Sequence, residues 1–159
     1  MSRNIDNIRK RKSYEIVINN EVLDKYTSWY FEQHPKARKA PIKFPYHESI
    51  NQWMIMRRPM MNALKQKWKS FICWLAEEEG YSNLNIARCI ITQTVYYPTQ
   101  RRHDTDNSVP KFILDGLVDS HVIKDDDMKV VTELRLKCDI DTECPRTVIN
   151  IDVIEDVIE

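Results

Sequence analysis

Glycine is nearly absent from this chain, with only 2 among 159 residues. A glycine-rich loop that cradles nucleotide phosphates needs several glycines for close backbone approach, so that class of site is excluded. Long apolar runs are also missing, and no stretch of about 18 apolar residues could form a membrane span. The basic first residues lack the apolar segment of a secretory signal. We therefore expect a cytoplasmic protein with no membrane partner.

Paired cysteine motifs are missing too. The four cysteines, Cys73, Cys89, Cys138 and Cys144, include no CxxC pair. In a chain without an export signal we expect reduced thiols rather than disulfides. The spacing gives little support to a zinc site made of four cysteines.

The composition is that of a globular domain, with 42% hydrophobic and 30% charged residues. At this length one domain is expected. The formal net charge is +0, but residues 1–70 hold 15 Lys+Arg and 6 Asp+Glu, a net of +9, which leaves −9 for the remainder. Two interpretations stay open: a basic half faces a polyanion while an acidic half holds a cation, or the two halves neutralise each other.

Hydrophobic periodicity predicts four strands, at residues 14–19, 88–98, 129–140 and 146–155, with a further short strand at 42–46. It also predicts a long helix from Pro59 to the glycine cap at Gly80, and a shorter helix that ends near Ser120. A short helix before a basic loop is expected between residues 24 and 41. The fold class is therefore α/β (α+β): a single domain with a mixed β-sheet and two principal helices.

Acidic residues are concentrated in "RRHDTDNSVPKFILDGLVDSHVIKDDD", residues 101–127, which holds seven aspartates. Asp104 and Asp106 follow a predicted strand, and alternate residues of an extended chain point to the same side. Two such carboxylates repel each other unless a cation lies between them. If the flanking strands are neighbours, residues 125–127 can reach this pair. An all-oxygen site of this kind suits Mg²⁺, with Mn²⁺ as an alternative. A D-x-D pair alone is more often a turn or a helix cap. A run of three aspartates alone is usually a solvated loop.

The stretch "RRHDTDNSVPKFILDGLVDSHVIKDDDMKVV" resembles the core motif of the RusA-family Holliday-junction resolvases, small nucleases often carried by phages and prophages. The shared features are a basic run, D-x-D-N, a lysine, an aspartate-led helical turn and a D-D pair before a strand. "FPYHESINQWMIMRRPMMNALKQKWKSF" is similar to the family's N-terminal portion, with its Ser/Asn loop and lysine-bearing helix. The resemblance implies a RusA-like nuclease domain at residues 40–159, after an N-terminal extension of uncertain structure at residues 1–39.

The resemblance also implies roles for single residues. Asp104, Asp106 and Asp126 match metal ligands, and Lys111 matches the catalytic-site lysine. The implied protein is a homodimeric, Mg²⁺-dependent endodeoxyribonuclease that resolves four-way DNA junctions in recombination and repair. The residues expected to hold DNA phosphates are Arg101, Arg102, Arg57, Arg58, Lys65 and Lys69. The alternatives are a general nuclease of flaps and forks, or a non-catalytic DNA-binding regulatory protein with a vestigial acidic site.

Lys111 departs from the family's spacing, because four residues rather than three separate it from Asp106. If Asp106 capped the following helix, this insertion would rotate the lysine away from the D-x-D pair. Pro110, however, disfavours helical conformation in the preceding residue. We therefore predict that the helix begins later, near Val109 or Pro110, with Lys111 in its first turn. Within this helix Gly116 predicts the close approach of another backbone.

Overall fold

The computed structural model describes residues 12–154. The elements in chain order are β1 (Ser13–Asn19), α1 (Asn20–Gln33), α2 (Ile50–Trp53), α3 (Arg58–Glu79), β2 (Cys89–Tyr97), a 3₁₀ helix (Thr105–Ser108), α4 (Lys111–Asp119), β3 (Val131–Ile140) and β4 (Arg146–Val153). The four strands form one sheet in the order β1-β4-β2-β3. Strand β4 is antiparallel to β1 and β2, whereas β3 is parallel to β2. This confirms the prediction of one α/β domain with a mixed sheet.

The sheet has one buried face and one partly exposed face. Along β2, buried residues alternate strictly with partly exposed ones, as a strand covered on one side requires. The covering layer includes α3, whose buried residues are Trp68, Phe71, Ile72, Leu75 and Ala76. Helices α3 and α4 are the two that were predicted as principal, and α1, with 14 residues, is a third substantial helix.

Helix α3 has the ends that its sequence predicts. Pro59 lies in its first turn, and Gly80 closes it in the left-handed conformation at φ 74°. Its contact with α4 is close at Gly116, where an added Cβ would lie 2.6 Å from the Cβ of Ile72. A close approach is therefore present at Gly116, with α3 as the neighbouring element, but the atoms that lie nearest belong to the Ile72 side chain and not to a backbone as predicted.

The N-terminal region belongs to the same sheet as the rest of the domain. Strand β1 pairs with β4 along its whole length, and its Ile16 and Ile18 are buried in the core. Residues 13–33, which the sequence assigned to an extension, thus form an edge strand and a helix of this fold. Residues 1–11 and 155–159 lie outside the described part of the chain.

The strand predicted at residues 42–46 is wrong. This segment has no strand or helix, because its one proline, Pro45, lacks the amide hydrogen that a ladder would use. It is fixed instead by burial of Ile42 and by a 2.6 Å hydrogen bond from the Thr147 hydroxyl to the Pro45 carbonyl.

All four cysteines are free thiols. Among residues 12–154, none of the helices is both long and apolar enough to cross a membrane.

Candidate functional site

The two acidic segments flank opposite ends of the β2–β3 pair. These strands are neighbours, as expected, but their parallel register pairs Cys89 with Val131 and Tyr97 with Ile140. Asp104 therefore follows the far end of β2, while residues 125–127 precede the beginning of β3. After β2 the chain turns back across the sheet. Gln93, in the middle of β2, donates a 2.7 Å hydrogen bond from its side chain to the backbone carbonyl of Ser108 in this returning segment.

Lys111 connects this returning segment to the second acidic segment. Helix α4 begins at Lys111, after the 3₁₀ helix that contains Asp106, so the predicted late start is confirmed. The Lys111 amine lies 3.7 Å from Oδ2 of Asp126 and 3.4 Å from Oδ1 of Asp115. Lys111 thus contacts the third of the predicted metal ligands.

Asp126 differs from its two neighbours in what its carboxylate contacts. Asp125 accepts the backbone N–H of Asp126 at 2.8 Å, and Asp127 accepts the N–H groups of Lys129 and Val130 at 3.0 and 3.1 Å. These bonds stabilise the turn before β3. Asp126 directs its carboxylate to Lys111 instead. The carboxylate of Asp126 is therefore the one of the three that faces the rest of the site.

A polar groove of about 280 Å³ lies beside the D-x-D segment. Its lining residues are Ser49, Asn51, Tyr97, Arg102, His103, Asp104 and Asn107. Arg102 Nε is 3.4 Å from Oδ1 of Asp104, so a guanidinium and a carboxylate share the groove. Ser49 and Asn51 had not been assigned a role, although the Ser/Asn loop of the resemblance contains both. Asp106 is exposed and is not among the lining residues.

His47 holds the beginning of α4 in place. Its Nε2 accepts the backbone N–H of Phe112 at 3.1 Å, so Nδ1 carries the proton and donates to the Glu48 carbonyl at 2.6 Å. Burial lowers the pKa of His47, which favours this neutral form. The ring packs between Trp68 and Phe112. Because Phe112 follows Lys111 directly, His47 also fixes the backbone position from which the Lys111 side chain extends.

Lys65 and Lys69, expected to contact DNA, have ionic partners within the fold. Lys65 Nζ lies 3.8 Å from Oδ2 of Asp115, and Lys69 Nζ lies 2.9 Å from Oδ2 of Asp119. These pairs join α3 to α4. The basic and acidic halves of the sequence therefore neutralise each other in part at this helix contact.

The predicted arginines are placed differently from these lysines. Arg57, Arg58 and Arg101 are exposed, and within residues 12–154 none of them forms an ion pair. Arg57 and Arg58 lie at the N-terminal end of α3. A positive side chain there interacts unfavourably with the helix dipole, at a cost of roughly 0.3–1 kcal/mol in stability for each charge. Their positive charge is therefore available to an external anion.

The carboxylates fit a hard cation in kind but are not gathered around one point. Asp104 and Asp126 have side chains that are 53% and 32% exposed, so both can be reached from solvent. In the described ranges, no group of three or more His, Cys, Asp or Glu residues is arranged to hold a metal ion. A metal ion bound by Asp104, Asp106 and Asp126 would have to draw these side chains together.

The chain matches no protein-family model, and no curated protein sequence matches it.

Proposed function

We propose that this protein is a Mg²⁺-dependent, structure-specific endonuclease that resolves four-way DNA junctions. The contact between Lys111 and Asp126 is the observation that carries the proposal. These residues come from separate parts of the motif, the first turn of α4 and the turn before β3. A nuclease site of this type needs the lysine amine of one part and the carboxylate of the other at one place. The fold brings them within 3.7 Å.

Asp104, Asp106 and Asp126 are the residues that would hold Mg²⁺, because small hard cations prefer carboxylate oxygens and retain several waters. When bound, the ion supplies a water of lowered pKa and neutralises charge that develops on the phosphate.

The chain's own residues position the DNA. Asp115 restrains the Lys111 side chain through an i,i+4 ion pair, which leaves the amine beside the acidic turn and able to contact a phosphate oxygen. Arg101 and Arg102 attract the phosphate backbone to a surface that the aspartates would otherwise make repulsive. Symmetric cutting of a junction requires two such sites, and a two-fold homodimer provides them.

Cleavage of a synthetic four-way junction in Mg²⁺ tests the proposal. Asp104→Asn and Asp126→Asn should each lower the rate by at least about a hundredfold, because each removes a ligand charge at constant volume. Lys111→Ala should lose most cleavage while retaining Mg²⁺ binding. The matched control is Asp127→Asn, whose amide oxygen can still accept the turn hydrogen bonds. Cleavage by both ligand variants within about threefold of the parent would place the site elsewhere.

Cleavage and binding assays on the same protein distinguish two alternative functions. A general nuclease of branched DNA would cut flaps and forks as fast as four-way junctions. A non-catalytic DNA-binding protein would bind junctions without Mg²⁺-dependent cleavage, and the dispersed arrangement of the described carboxylates is the observation that favours it.

A further inference from the structure

A continuous series of aromatic rings connects His103, which is exposed at the polar groove, to Phe44. His103 stacks on Tyr97 with the ring centroids 3.7 Å apart and the planes within 3°. The ring centroids of Tyr97 and Tyr46 are 5.1 Å apart. Tyr46 stacks on Phe44 with a centroid separation of 5.6 Å and an interplanar angle of 8°. Tyr97 is buried, whereas Phe44, at the outer end, is 56% exposed.

The exposed ring of Phe44 is held by a fixed segment of backbone. Ile42 and His47, on either side of it, are each only 5% exposed. The Pro45 carbonyl accepts the buried hydroxyl of Thr147 at 2.6 Å. Phe44 therefore projects from an anchored loop, so little conformational freedom is lost when a ligand packs on it.

We propose that Phe44 is a stacking platform for an unpaired nucleobase of the DNA substrate. This inference rests on the proposed nuclease function, which it extends by naming the part of the DNA that binds. Every base has a π-face, and stacking on an aromatic side chain tolerates any sequence. The other end of the ring series is His103, which lines the groove together with Asp104. A base stacked on Phe44 would therefore lie at the opposite end of the ring series from the groove that contains Asp104.

The charges around the ring series match this ligand. Lys43 is exposed next to Phe44, and Arg101 and Arg102 precede His103 on the exposed chain. Base stacking flanked by cations that attract the backbone is the general mode of single-strand binding. Ile55 and Met128 are more exposed than Phe44, at 84% and 87%, but a side chain without a ring offers no comparable stacking surface. Met128 therefore serves as a matched control for loss of exposed apolar surface.

The test measures binding in EDTA, so that it does not depend on cleavage. The probes are a duplex with a single-stranded gap that contains 2-aminopurine and the same duplex fully paired. Phe44→Ala should weaken binding of the gapped probe by roughly tenfold and abolish the change in 2-aminopurine fluorescence. Binding of the paired duplex should not change. Phe44→Leu should behave like alanine, Phe44→Tyr like the parent, and Met128→Ala like the parent.

Each result decides the proposal. Unchanged gapped-probe binding by Phe44→Ala and Phe44→Leu would overturn the stacking role, while junction cleavage by the parent would leave the nuclease proposal intact. Equal losses on gapped and paired DNA would also overturn it, because stacking requires an unpaired base. A parent that binds neither probe would overturn the stacking proposal, and cleavage of the four-way junction would then decide the nuclease proposal separately. Thermal unfolding of each variant excludes a folding defect as the cause.

Discussion

The buried imidazole of His47 makes a specific prediction about stability at acid pH. The neutral ring accepts the N–H of Phe112 at the beginning of α4, and protonation would place a second donor against that N–H. Burial lowers the pKa of His47 below its usual 6.5, so the fold favours the neutral form. The groups that face the ring are the Glu48 carbonyl and carboxylate and the carboxylate of Asp115, and their charges oppose the shift without reversing it.

The sign and the size of the effect follow from proton linkage. Above about pH 6.5 the ring is neutral in the folded and unfolded chains, so its contribution is fully present. As the pH falls below that value the unfolded chain binds the proton first, and stability is lost until the folded pKa is reached. With an unfolded pKa of about 6.5, the loss between pH 8 and pH 5.5 cannot exceed roughly 1.4 kcal/mol for this one group.

His47→Gln is the appropriate perturbation, because the glutamine amide oxygen can still accept the Phe112 N–H but does not titrate. Urea unfolding at pH 8 and pH 5.5 should show a smaller acid loss in this variant than in the parent, by up to that amount. His47→Ala should be destabilised at both pH values, by about 1–3 kcal/mol, since it leaves the Phe112 N–H unpaired. If the parent and His47→Gln lost equal stability between the two pH values, the neutral cap would not exist in solution.

Two further predictions concern the contact between α3 and α4. Gly116→Ala should lower the free energy of unfolding by up to about 2 kcal/mol, because overpacking against the buried Ile72 outweighs the roughly 1 kcal/mol gained in helix propensity; equal or higher stability in urea would show that the helices separate freely. The double variant Lys65→Gln, Lys69→Gln should reduce the salt dependence of junction binding by up to about two units of logarithmic slope if both amines contact phosphates. An unchanged slope together with reduced stability would assign both lysines to the helix contact alone.

The sequence predicted the four strands and helices α3 and α4 because their periodicity is local, whereas α2, with four residues, is too short to give a periodic signal. The alternating residues of β2, the proline and glycine at the ends of α3 and the late beginning of α4 all depend on neighbours within a few positions. The segment at 42–46 misled the prediction because Ile42, Phe44 and Tyr46 recur at every second position, as in a strand. Its conformation is decided by distant partners, such as the Thr147 hydroxyl, which no local pattern reveals.

The candidate site was only partly predictable for the same reason. The role of His47 depends on a backbone amide 65 positions away, and a single histidine gives no periodic signal. The parallel orientation of β2 and β3 could have been inferred, since a helix that connects neighbouring strands returns the chain to the first edge. That orientation means that proximity of the two acidic segments depends on the length of the returning segment rather than on strand pairing.

Asp115 shows why the two interpretations of the charge split do not exclude each other. Its side chain is only 14% exposed, and it pairs with Lys65 through one oxygen and Lys111 through the other. A single carboxylate therefore neutralises one lysine of the basic half and restrains the lysine beside Asp126. Because the Lys65 and Lys111 side chains are 41% and 49% exposed, each pair contributes little to stability, about 0–1 kcal/mol. Their larger consequence is geometric: Asp115 contacts Lys65 of α3 and Lys111 of α4 at once, so it connects the basic side of α3 to the candidate catalytic lysine.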